Sequence, residues 1–122
     1  MSIILPSNAI VLDQSIAIYV PSSNDAIYAQ LQSFDNRVHN ALVVMSDLFG
    51  GSSSVRITGG YVMGNGDLVM EDIAIVRSYY DPDNADHIAN LPRFLEYAHI
   101  CRGMYAQESI AVEIQGQLVL LF

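Results

Sequence analysis

Lysine is absent from this 122-residue chain, and five arginines stand against thirteen acidic residues, for a formal net charge of −8. Direct nucleic-acid binding is therefore disfavoured, because it draws on clustered basic side chains and the release of their counterions. An acidic surface suits solubility instead, or a basic protein as partner. Charge of either sign is scarce: only 15% of residues are charged while 52% are apolar. That is too little charge to coat a monomer in the usual way, so some apolar surface is expected to face a partner. Long apolar runs are missing, which excludes a membrane-spanning helix. The opening "MSIILPSNAIVL" has no basic leader and too short an apolar run for a signal peptide, so a cytoplasmic location is expected. The single cysteine, Cys101, has no internal disulfide partner and lies in a helical pattern, where it reads as a buried apolar residue in a reducing compartment.

Metal chemistry also lacks its ligands. His39, His87 and His99 are not spaced with one another or with Cys101 as a metal pair would be. Asp81, Asp83 and Asp86 suggest a calcium loop, but its central glycine and terminal glutamate are absent, and turn chemistry accounts for them. No metal and no cofactor is called for.

What the chain has in quantity is glycine between residues 48 and 72, "LFGGSSSVRITGGYVMGNGDLVMED". A phosphate-binding loop places its glycines before a helix and needs a lysine. Gly50 and Gly51 instead follow a helical pattern, where a left-handed terminal residue is expected. Gly59-Gly60 falls in a strand pattern. These glycines turn the chain.

The length suits one domain, residues 1–122, with 1–14 either an extra strand or an arm reaching a neighbour. "IAIYV" (16–20) alternates as a strand. From Pro21 to Ser33 the composition predicts a loop or loose helical turn. Asp35 is expected to cap a helix whose buried face is Val38, Ala41, Leu42, Met45, Leu48 and Phe49. A hairpin follows, with Asn65-Gly66 as a two-residue type I′ turn setting Val62 opposite Val69 and Ile57 opposite Ala74. On that register Arg56, Thr58, Glu71, Ile73, Ile75, Arg77 and Tyr79 share one face. Asn90 and Pro92 are expected to start a second helix running to about Tyr105, with Leu95, Ala98 and Cys101 or Arg102 inward. A second hairpin turns at Gln115-Gly116, with Leu118, Leu120 and Phe122 on one face.

The order β-α-β-β-α-β-β is that of an α+β, ferredoxin-like split βαβ fold: a mostly antiparallel sheet with two helices on one face and an added C-terminal strand. The other face is left bare. It is expected to carry Tyr19, Ile73, Ile75, Leu118, Leu120 and Phe122, a patch larger than soluble monomers leave in water. A second copy covering it, in a homo-oligomer, is weighed against the N-terminal arm covering it within one subunit.

Candidate contact residues for a ligand or partner are Arg56, Tyr61, Glu71, Arg77, Tyr79, Tyr80 and Glu108. The carboxylates can serve acid-base chemistry if their environments differ, and the arginines can hold an anion. No nucleophile is credible: Cys101 and His99, two apart on a helix, point in different directions. No catalytic residue is assigned.

The segments "LFGG", "GGYVMGNGDLVMEDIAIVRSY" and "QESIAVEIQG" resemble a set of small uncharacterised proteins of bacteria, plasmids and phages. The matching residues are Leu48 to Gly51, Gly60, Tyr61, Gly66, Leu68, Val69, Glu71, Gln107 and Glu108. The resemblance implies a ferredoxin-like domain of mobile-element origin and brings no activity. The expectation is therefore a non-enzymatic interaction module acting as a homo-oligomer, such as an inhibitor or sequestering protein with a basic protein or small ligand as target. The alternatives are a small cofactor-independent enzyme of the dimeric α+β type, using Tyr61, Glu71 or Glu108 with an arginine, and a structural or assembly subunit.

Overall fold

The structure, a computed structural model, describes residues 2–23 and 33–122. Its elements are β1 (Gln14–Pro21), α1 (Phe34–Phe49), β2 (Ser53–Val62), β3 (Leu68–Tyr80), α2 (Ala85–Met104), β4 (Ile110–Ile114) and β5 (Gln117–Leu121). The strands form one antiparallel sheet in the order β2-β3-β1-β4-β5. This is the ferredoxin-like arrangement with one added strand. The loop expected over Pro21–Ser33 falls mostly outside the described residues.

Ile16, Ile18 and Val20 of β1, Ala74 and Val76 of β3, and Ile110 and Val112 of β4 point to one side. There they meet Val38, Ala41, Met45 and Phe49 of α1 and Phe94, Ala98 and Cys101 of α2. The four α1 residues follow the periodicity legible in the sequence. The cap is displaced: Ser33 accepts the Asn36 N–H, and Asp35 sits in the first turn, where its charge favours the helix dipole. Gly50 ends α1 at φ +88°, the left-handed conformation glycine adopts without a Cβ clash.

α2 begins earlier than Pro92 suggests. Asn84 is its cap, accepting N–H groups of Asp86 and His87, and Pro92 lies inside the helix. Burial of Phe94, Ala98 and Cys101 outweighs the hydrogen bond that Pro92 cannot make. Leu95 faces outward rather than in. The helix ends in a Schellman motif, with Gln107 N–H donating to Arg102 O and Ala106 N–H to Gly103 O, and with Ala106 in the left-handed region at φ +52°.

One register differs from expectation. Asn65-Gly66 does not form a two-residue loop. Gly66 N–H donates to Met63 O, Met63 N–H donates to Asp67 O, and Gly66 takes φ +90° at the end of a three-residue loop. Val62 therefore pairs with Leu68, Ile57 with Ile73 and Val55 with Ile75. A shift by one residue turns every β2 side chain over. Val55, Ile57 and Tyr61 join the open face, while Arg56 and Thr58 turn to the helix side. The second hairpin keeps its expected turn, with Gln115 and Gly116 both at positive φ and Ile114 opposite Gln117.

Residues 2–13 form no strand and leave the open face uncovered. Ile4 and Ile10 are 94% and 83% exposed.

Candidate functional site

The open face has a polar centre in an apolar field. Ala17, on the central strand, pairs with Arg77 on one side and Glu113 on the other. Arg77 donates to Glu113 in an ion pair that passes over Ala17, and Ala17 is 0% exposed for that reason. Burial raises the Tyr19 phenol above its ordinary pKa, and the negative charge of the Glu113 carboxylate adds to the shift. Around this network lie Ile73 and Ile75, half-buried, and Val55, Leu118 and Leu120, exposed.

Glu71 lies further along β3, opposite Gly59. Its Oε2 is buried and has no hydrogen-bond partner among the described residues. A carboxylate oxygen removed from water without a donor is costly, so this atom is suited to a cationic or hydrogen-bonding ligand. Tyr61, on the same face two residues beyond Gly59, is half-exposed. Gly59 leaves the space that the Ile73 side chain occupies, and a Cβ there would collide with Ile73 Cδ1.

Where β1 ends, the chain is clamped by α1 and by the end of α2 with the turn that follows it. Arg37 of α1, 2% exposed, donates from one nitrogen to Pro21 O and Ser23 O, both at 2.8 Å. Its guanidinium lies 4.3 Å from the centre of the Tyr105 ring. Gln107 donates to Ser23 Oγ at 3.1 Å and to Tyr105 O at 3.0 Å, and Arg102 donates to Gln107 O. Behind the clamp, burial pushes the phenols of Tyr97 and Tyr105 far above the usual range. Burial also raises the Cys101 thiol, partly offset by the two tyrosine hydroxyls. A buried thiol held neutral is inert, which agrees with its reading as a core residue.

At the opposite end of the sheet a cleft of about 420 Å³ is lined by Leu12, Phe49, Gly50 to Ser53, Arg77, Tyr79 and His87. His87 Nδ1 accepts the Asp81 N–H at 3.0 Å, which leaves Nε2 to carry the ring proton. Among the described residues no three His, Cys, Asp or Glu side chains gather as a metal site, and no helix is long and apolar enough to cross a membrane.

The sequence-derived candidates are thus divided. Arg77 and Tyr79 meet at the cleft, and Tyr61 and Glu71 share the open face on neighbouring strands. Glu108 is exposed beside Gln107. Arg56 is elsewhere, paired with Asp35 at 2.6 Å and lying over Phe34, because of the register shift. Tyr80 is a core residue whose hydroxyl accepts from Gln115 Nε2, not a contact residue. Sequence reasoning missed Arg37, Tyr105 and Ser23 as a unit. A charged residue directly beside the apolar stripe of α1 was the available signal.

No protein-family model and no curated protein sequence matches the chain. Among solved structures, the chain is similar to a phage SAM lyase in complex with S-methyl-5′-thioadenosine, over 96% of this chain and 95% of that one. The TM-score is 0.64 and the identity 14%. A phage SAM lyase in the apo state matches over 98% of this chain and 95% of its own, at TM-score 0.61 and 15% identity. Both matched proteins are enzymes on this fold throughout their length. That finding overturns the expectation of a non-enzymatic interaction or sequestering module, and with it the balance that put a non-enzyme ahead of an enzyme. The alternative of a small cofactor-independent α+β enzyme is the one it favours.

Proposed function

We propose that this protein cleaves S-adenosylmethionine as a lyase, releasing S-methyl-5′-thioadenosine, with Glu71 holding the sulfonium. The likeness to the phage enzymes over nearly the whole of both chains carries the reading. The buried, unpartnered Oε2 of Glu71 supports it, since a sulfonium is a cation that offers no hydrogen bond to water and is held best by charge. In the reaction the bond from sulfur to the amino-acid γ-carbon breaks, its electron pair stays on sulfur, and a neutral thioether leaves. The remaining four-carbon fragment closes on its own carboxylate or loses a proton. Neither route consumes water or a redox partner, so the protein's task is to orient the substrate and exclude solvent.

The enzyme is read as a homo-oligomer joined through the open sheet face. Val55, Ile57, Leu118 and Leu120 are each exposed there by more than a third. Covering them with a second copy dries the surroundings of Glu71. Tyr61 supplies an aromatic surface for the adenine, and Glu108 with Gln107 supplies polar groups for the amino-acid end.

The test is to incubate the purified protein with S-adenosylmethionine and measure S-methyl-5′-thioadenosine by chromatography. Formation of the thioether without added cofactor is expected, and Glu71→Gln is expected to slow it by roughly a hundredfold. The melting temperature should not fall, because the carboxylate makes no stabilising bond in the free protein. Absence of the product, together with no thermal shift on adding S-methyl-5′-thioadenosine, would overturn the reading.

A further inference from the structure

The segment before β1 is the least explained part of the molecule. Residues 2–12 carry no charge, and Ile3, Ile4, Leu5, Ile10 and Val11 are each more than half exposed. At the other end of the chain β5 is an edge strand, and residues 117–122 are likewise uncharged and contain no proline. An edge of that composition has none of the usual guards against pairing with another chain. We infer that residues Ala9–Leu12 of one copy add as an outer strand to the β5 edge of a second copy, with Ile3–Leu5 continuing over the neighbour's open face.

Two sets of unpaired main-chain groups satisfy each other in this arrangement. Among the described residues β5 pairs with β4 alone, and the arm's main-chain bond outside helix and strand is Ala9 N–H to Pro6 O. Strand addition satisfies both and sets the arm's aliphatic side chains beside Leu118, Leu120 and Phe122. The arm does not serve its own edge. Leu12 lines the cleft together with Gly50 to Ser53 and Tyr79, which places the arm's departure on the β2/β3 side of β1, while β5 lies on the far side. The paired segment begins directly where the arm leaves its own sheet, so the neighbour's β5 edge lies beside that point, and residues 2–8 extend about 23 Å further from it. At roughly 100 Å² for each buried aliphatic side chain, the arm supplies most of the about 800 Å² per partner of a standard interface. The open face supplies the rest. This goes beyond association through the open face, because it names an exchanged segment and the strand that receives it.

Two measurements test it. Sedimentation velocity from about 1 to about 100 µM compares the full chain with one lacking residues 2–11 and with the double variant Ile10→Asp, Val11→Asp. Assembly of the full chain and a loss of roughly tenfold or more in association for both variants are expected, with the melting temperature of the dilute protein little changed. Separately, a chain carrying Ile10→Cys is mixed with one carrying Leu120→Cys and oxidised, and a cross-linked heterodimer is expected. A full chain that stays monomeric throughout overturns both this inference and the open-face association. Undiminished assembly of the shortened chain overturns the arm alone. So does a link that forms only when both cysteines are in one chain.

Discussion

Ala17 shows how one small side chain organises the open face. Its neighbours on both flanking strands are long and oppositely charged, and they close over it because it has nothing beyond Cβ. Ala17→Leu is expected to break the Arg77–Glu113 pair and cost about 1–3 kcal/mol, measured by urea denaturation. Glu71 is the converse case, a side chain held in place without a partner, and its substitution reads on activity rather than stability. A third residue-scale consequence comes from Tyr97, Tyr105 and Cys101, whose pKa values are all raised by burial. Their neutral forms are favoured in the folded state, so the folded chain binds more protons than the unfolded chain once pH exceeds the unfolded values of 9.0 for the thiol and 10.0 for the phenols. Stability is then fully present below about pH 9 and falls as pH rises above it. A melting-temperature profile from pH 7 to 11 checks this, and Cys101→Ala should delay the onset of the fall.

At the scale of elements, the two hairpins show why one turn was legible and the other was not. Gln115-Gly116 has no glycine nearby to compete, and its two-residue loop fixes the β4–β5 register as expected. Around Gly64-Asn65-Gly66 two glycines allow loops of different length, and hydrogen bonding to Met63 and Asp67 selects the longer one. Local composition cannot distinguish these loops, yet the choice decides which face of β2 is oily. α2 carries a similar lesson, since Pro92 suggests a start that Asn84 overrides once Phe94 and Cys101 are buried. The Schellman end of α2 places Ala106 where glycine is favoured, directly before Gln107 and Glu108. Ala106→Gly is expected to stabilise the chain by about 1 kcal/mol, measured by thermal denaturation. Turnover should not rise, because Gln107 is already held by Ser23 and Tyr105.

For the whole molecule, the governing feature is a sheet that the described residues cover on one side only. The helices shield the side with Ile18, Val76 and Val112, and the other side keeps Leu118 61% exposed. Leu118→Arg is expected to leave the monomer's melting temperature within error, since the site is on the surface. It should lower self-association by roughly tenfold in a dilution series followed by light scattering, because a charge must then lose its water on assembly. The arm and the β5 edge act at this same scale, where a single chain leaves both unsatisfied.

The order of elements, the inward face of α1, the β4–β5 turn and the bareness of one sheet face were determined by the sequence. Each depends on a short-range period or a turn residue, and such signals act within a few residues of where they are written. The register of β2, the clamp formed by Arg37, Tyr105, Gln107 and Ser23, and the isolation of Glu71 Oε2 were decided only by the tertiary structure. They join residues as far as 84 positions apart in the chain. Whether a polar atom is paired or stranded depends on which distant groups packing brings to it, and no local pattern encodes that.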